Sequence, residues 1–413
     1  MGDSSSPTIA WRGVAPALAA TIVAMLPSFL TAALVVQIGL DTGLTLTGLG
    51  VVISLFFVAA ALVSPTAGRL SERVGWANGL RISTLLSAVA LATIGLLGTT
   101  VPVIGISLGL AGVASALSQT AANLTIARCV VASRHGWVLG IKHACVPAAM
   151  FLAGLAVPTL ALTVGWRWAF AVAAGLALGA MGSVPRREEP HTLSPPPPSI
   201  EPSAEEPSTP RHLLVVLAAA VGLGIGALDP LGSFFVGYSV SIGVEEQVAG
   251  VLLAVGGLLG IITRLIAGRL IDRKAQADFT AIASMMVAGA VGLVVLNLGG
   301  YLGLLIGGFI GFTAGWGWSG LFTFAVVKDN PAAPAAAWGV AQTGKFLGAA
   351  IGPLAFGIVA DRVSFDAAFW MAAIALLAAA GLILYVRNER PAPPKTQVHV
   401  CLLYTSDAAD DLA

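Results

Sequence analysis

Apolar runs long enough to cross a bilayer recur along almost the whole chain, and nothing else narrows its possible folds so far. About 20 apolar residues in helical form span the hydrocarbon core. Scanning at that length predicts twelve spans, near 14–38, 46–67, 79–98, 101–127, 137–163, 166–184, 213–240, 247–268, 279–298, 301–327, 336–360 and 367–387. Only 10% of the residues are charged, against about 25% in soluble domains, and those charges are confined to short islands between the runs. The bilayer is therefore the solvent for most side chains, and the expected class is an all-α membrane protein. The first run is too long for a signal-peptide core and has no small-residue cleavage site behind it, so it reads as a retained first helix.

Arginine and lysine orient the spans. Sixteen of the 21 fall on one side if the N-terminus is cytoplasmic, including Arg12, Arg69, Arg73, Arg128, Arg269 and Arg273, while the opposite loops hold only Arg167 and Arg362. Such a bias places both termini in the cytoplasm. A net charge of +1 points to no nucleic-acid partner. Of three cysteines, Cys129 and Cys145 lie at or inside spans and Cys401 in the tail, which gives neither a disulfide framework nor a metal site. The chain also lacks a phosphate-binding glycine loop, a metal-spaced His/Cys set and a nucleophile elbow, so no cofactor and no enzyme chemistry are expected.

The chain is a tandem duplication. GRLSERV at Gly68–Val74 returns as GRLIDRK at Gly268–Lys274, an offset of 200, and Gly140, His143 and Cys145 align with Gly339, Gln342 and Gly344 at an offset of 199. Between the copies, a Pro/Glu/Ser-rich tract can neither pack a core nor cross a membrane. The expected organisation is a six-helix bundle over 1–184, a disordered cytoplasmic linker over 185–211, a second six-helix bundle over 212–390 and a tail over 391–413. Residues 401–413 contain CLLYTSDAADD, which resembles one reading frame of a transposase adapter used in sequencing libraries; they are read as an assembly artefact.

The repeated turn resembles the loop motif of the major facilitator superfamily of secondary transporters, roughly G-x-x-x-D-R-x-G after the second helix of each half. Gly68, Glu72, Arg73 and Gly75 match it, and Gly268, Asp272 and Arg273 match it again, with Glu72 replacing the usual aspartate and the second copy lacking the last glycine. The resemblance covers about residues 12–390. It implies twelve helices in two pseudo-symmetric bundles, alternating access to a central cavity, and a gate built from Gly68, Arg69, Glu72, Arg73, Gly268, Arg269, Asp272 and Arg273.

Charges inside spans are costly, about 2.5–3.5 kcal/mol each at a helix centre on the insertion scale, so they are the first candidates for function. There are four: Lys142, Asp229, Arg264 and Lys345. Arg264 opens an R-x3-G-x3-D pattern with Gly268 and Asp272, similar to the eighth helix of the oxalate/formate and monocarboxylate branches, where the resemblance implies a substrate carboxylate on the arginine. A guanidinium offers the paired donors such a group takes. Lys345 stands at comparable depth, whereas Lys142 is close enough to a span end to snorkel. Asp229, before Pro230, reads either as a stabiliser of a helix break or as a proton carrier, about 10 Å from Lys345 by helical rise. Gln119, Asn123, His143 and Gln342 are polar groups that face cavity or protein, and Trp316 and Trp318 are either cavity walls or packing. Gly344, Gly348 and Gly352 permit close helix approach.

The expected function is proton-coupled movement of a small organic or inorganic anion across the plasma or inner membrane by a monomeric carrier. Lys345 and Arg264 would hold the anion, Lys142 would support them, and Asp229 would carry the proton. A carrier of neutral or cationic solutes, drugs included, is the alternative; an integral membrane enzyme or a non-transporting sensor is the other class.

Overall fold

The computed structural model describes residues 9–131, 134–186, 208–274, 278–298, 300–330 and 333–390. Most of the expected linker and the whole tail, with its adapter-like end, lie outside them. The described residues form helices joined by short turns, with one isolated antiparallel bridge between Ile9 and Val130. In order the helices are α1 (Trp11–Ala33), α2 (Val35–Thr42), α3 (Leu46–Val74), α4 (Trp76–Leu97), α5 (Val101–Cys129), α6 (His135–Ala156), α7 (Trp166–Ser183), α8 (Arg211–Ser241), α9 (Glu246–Lys274), α10 (Phe279–Leu298), α11 (Gly300–Ile310), α12 (Trp316–Asp329), α13 (Pro334–Arg362) and α14 (Phe365–Glu389). Local chemistry sets several starts. Thr45 and Ser364 cap α3 and α14 through their hydroxyls, and proline opens α5 and α13, where a missing N–H costs nothing. Gly75 and Gly165 turn the chain into α4 and α7 at φ 83° and 101°, which side-chain-bearing residues rarely adopt.

Eleven helical segments are long and apolar enough to cross a membrane. The sixth expected span, α7, falls outside that set: it has 18 residues and opens on Trp-Arg-Trp. Three expected spans are interrupted. The first breaks at Leu34 into α1 and α2; the fifth ends in a π-helical turn at Val157–Ala161; the tenth carries another at Gly311–Gly315, between α11 and α12. A hydropathy window reads composition over a whole run and is blind to a one-residue change of helical register.

Apolar side chains such as Leu62, Leu96, Ile106 and Ile374 cover the outside, while Phe56, Phe234, Phe312, Phe356 and Trp318 fill the interior. A lipid-facing exterior needs no polar coat. With water absent as a driving force, close backbone approach through small residues holds such helices together. Glycine supplies it along three seams. Gly344, Gly348 and Gly352 of α13 lie against Ala218, Gly222 and Gly226 of α8 so tightly that a Cβ would collide with the facing backbone. Between α6 and α9, Gly154 meets Gly250 and Ala254, Gly257 meets Pro147 and Phe151, and Gly140 meets Gly268. Between α3 and α13, Gly50 meets Pro353 and Gly357 meets Leu46, but Gly68 and Gly339, further along, have no neighbour within 4 Å of where a Cβ would sit.

The two charged turns lie at one end of the molecule. Ser71, beside the first, contacts Thr120 at 3.2 Å near the C-terminus of α5, and Arg269, in the second, stacks on Trp137 at 4.3 Å near the start of α6. Ile9 pairs with Val130 at that end, and Arg390 ion-pairs there with Asp329, so both ends of the described chain share it. At the opposite end, Asp361 accepts from the Thr47 N–H at 3.3 Å, so a carboxylate from the second half caps a helix start in the first.

Candidate central cavity

A cavity of about 470 Å³ lies between the two halves of the chain and takes its walls from both. Some of its lining residues lie well inside their helices: Met25 and Ser28 of α1, Asp229 and Ser233 of α8. Others, Asn123 and Ala127 of α5, Thr323 of α12 and Trp338 of α13, approach the end that carries the charged turns. The diverging ends of α3 and α13 match that direction. At the other end the seam through Gly50, Pro353, Leu46 and Gly357 closes it.

All four intramembrane charges line this one cavity, together with His143 and Gln342. Lys142 is only 6% exposed and does not snorkel to a span end. Asp229 is within electrostatic range of both Lys345 and Arg264, Lys142 is within range of Lys345, and His143 is within range of all three bases. No ion pair joins Asp229 to either base among the described residues, so the bases keep donors for a further anion. Buried cations in excess of buried carboxylates require a counter-charge. Three bases face one acid here.

Sequence reasoning left Trp316 as either cavity wall or packing and missed how it is held. The π-helical turn at Gly311–Gly315 ends directly before it. From there the Trp316 indole N–H donates to the Leu228 carbonyl at 3.0 Å, one residue from Asp229, and its ring lies under the Arg264 guanidinium at 5.3 Å. One side chain thus touches both α8, one residue before Asp229, and the eighth-span arginine; α8 runs unbroken from Arg211 to Ser241 with Pro230 inside it, so the helix break expected at Asp229 is absent. No pattern of residue types announces such a link, because it depends on the register the π turn imposes. Trp318 is fully buried, packed on Gly224, with its indole nitrogen unpartnered; it too borders the cavity. Gln119 is half-buried and Asn123 exposed on the α5 wall.

The expected gate residues lie at the end toward which the cavity points, and none of the described ones lines it. Arg69, Glu72, Arg73 and Arg269 are exposed, and the side chains of Asp272 and Arg273 lie outside the described residues. Gly68 and Gly339 each have open space where a Cβ would sit, on the side toward which the cavity opens.

A membrane-embedded helical fold around one polar, charge-lined cavity between two repeats defines a solute carrier. Residues 17–345 match the profile of the Major Facilitator Superfamily, and the chain belongs to that family: it is a transporter and not an enzyme. It is 28% identical over 409 residues to the transcription regulatory protein OpdE of Pseudomonas aeruginosa, a match spanning 92% of this chain and 95% of that protein.

Proposed function

We propose that the chain carries an anion across the cell membrane by alternating access, in exchange with or alongside protons. The helices form twelve crossings in two six-helix bundles, α7 being the sixth crossing, with the linker 185–211 joining them. The lysine- and arginine-rich end faces the cytoplasm with both termini, and the cavity is then inward-open. Arg264 and Lys345 hold the anion, Lys142 adds charge beneath it, and Asp229 carries the proton. His143, Gln342, Gln119 and Asn123 complete the polar walls, and the paired turns at Gly68–Arg73 and Gly268–Arg273 latch when the inner mouth shuts. The carrying observation is the excess of bases over acid, Lys142, Arg264 and Lys345 against Asp229, around one cavity.

The test is counterflow in proteoliposomes with the Lys345→Gln protein. Anion exchange is expected to fall at least about tenfold, the equivalent of roughly 1.4 kcal/mol of lost binding, while size-exclusion and melting profiles stay those of the parent. An unchanged rate in a folded variant rejects the assignment. A second reading draws on the name of OpdE: a membrane protein acting on transcription. Complete absence of counterflow for anionic, neutral and cationic solutes alike would favour it.

A further inference from the structure

The charged groups occupy only part of the cavity wall. Phe29 of α1 and Phe57 of α3, from the first half, line it together with Trp338 and Phe346 of α13 from the second, and all four are half-buried, so their rings present surface to the space. Phe57 is braced by edge contact with Phe56 at 5.2 Å. Trp338 is backed by Phe322 at 6.5 Å. The apolar surface is therefore built and supported, with Phe29 and Phe57 deep in the cavity and Trp338 nearer its mouth.

Size and chemistry point the same way. Pockets of about 300–1,000 Å³ suit drug-sized molecules, and 470 Å³ lies within that range. An ion of three or four heavy atoms would leave most of that space to water and set nothing against the rings. Aromatic walls favour flat apolar bodies, with edge-to-face or offset contact worth about 0.5–1.5 kcal/mol beyond burial. The boundary between the two kinds of wall is also marked, since Arg264 already lies over the Trp316 ring. A ligand whose anionic group meets the guanidinium would direct the remainder of its body along aromatic surface.

We infer that the carried anion is an aromatic carboxylate, or one with a similarly flat apolar body, and not a small inorganic anion or formate. Its carboxylate meets Arg264 and Lys345 of the second half, and its ring lies against Phe29 and Phe57 of the first, so that side chains of both halves grip one molecule. This rests on the anion reading above.

The experiment uses the full chain in proteoliposomes at alkaline pH, where benzoate is ionised and crosses lipid slowly unaided. Uptake of radiolabelled benzoate and of radiolabelled formate is followed against internal benzoate, formate, nitrate and the neutral isostere benzamide. Benzoate exchange is expected to exceed formate or nitrate exchange at least tenfold, and benzamide to drive none. Phe57→Ala should weaken benzoate exchange at least fivefold in protein with the parent's melting profile; benzoate exchange left intact by that change overturns the inference. Formate or nitrate exchanging as well as benzoate overturns it too, yet leaves the anion reading standing. Benzamide exchanging as well as benzoate overturns the anion reading itself. Absence of benzoate exchange in folded protein that exchanges formate also refutes the aromatic class alone.

Discussion

Asp278 stands at the start of α10, outside the apolar spans, and its carboxylate accepts from the Thr280 backbone N–H at 2.9 Å. That hydrogen bond, with Arg387 of α14 and Arg390 just beyond it nearby, holds its carboxyl below the usual carboxylate range. A depressed folded-state value means that its stabilisation is present above the unfolded pKa, near 3.9, and is lost as pH falls through the lower folded value. Asp278→Ala should therefore lower the stability of purified protein at neutral pH by about 0.5–2 kcal/mol, as for other N-caps. The difference from the parent should shrink as the melt is repeated toward pH 3. Asp278→Asn, which keeps the acceptor, should retain most of the cap. At this scale the sequence was partly legible: a charge inside an apolar run is costly enough to flag Lys142, Asp229, Arg264 and Lys345, and the structure brings all four to one cavity. It was silent on the Trp316–Leu228 hydrogen bond and on the trans cap by Asp361. Both join residues far apart in sequence, and neither requires an unusual residue type.

Among the elements, α8 and α13 show what glycine does here. The Gly348 Cα faces the Gly222 carbonyl so closely that any side chain must push the helices apart. Gly348→Leu should destabilise the protein by at least about 3 kcal/mol, the upper end of usual overpacking costs, read as a lowered melting temperature or failed purification. Gly381→Leu on α14, exposed and without neighbours within 4 Å, should melt like the parent. The glycine spacing on α13 was visible in the sequence because packing in lipid selects small residues at helical intervals. Helix interruptions were not visible: the break at Leu34 and the π turns lie within unbroken apolar runs. The marginal sixth span shows the converse, since the two halves align as repeats even where the apolar signal of α7 is weak.

The whole molecule is less symmetric than its sequence. Gly50 and Pro353 correspond by repeat to Gly250 and Gly154, and both seams are shut at the end away from the charged turns. At the other end Gly140 meets Gly268, while their repeat equivalents Gly339 and Gly68 stand clear. In protein freed of its native cysteines, a Gly140→Cys/Gly268→Cys pair should cross-link fully in every condition. On the proposed alternating-access cycle, a Gly68→Cys/Gly339→Cys pair should cross-link only in the fraction of molecules shut at the charged-turn end, and that fraction should change when the proposed anion is added. Equal cross-linking of both pairs in this state would contradict the asymmetry. The repeat was legible because duplication leaves its spacing in the charged turns. Which seam is parted was not, because one sequence must support both conformers with only a few kcal/mol between them.

On the proposed cycle, the α6–α9 seam, fastened by glycine along its length, is the hinge side of a door whose free edge runs between α3 and α13. Damage to the hinge side would be felt mainly as poor assembly of the protein. Changes along the free edge would instead alter how often the door swings, in molecules that are otherwise soundly built.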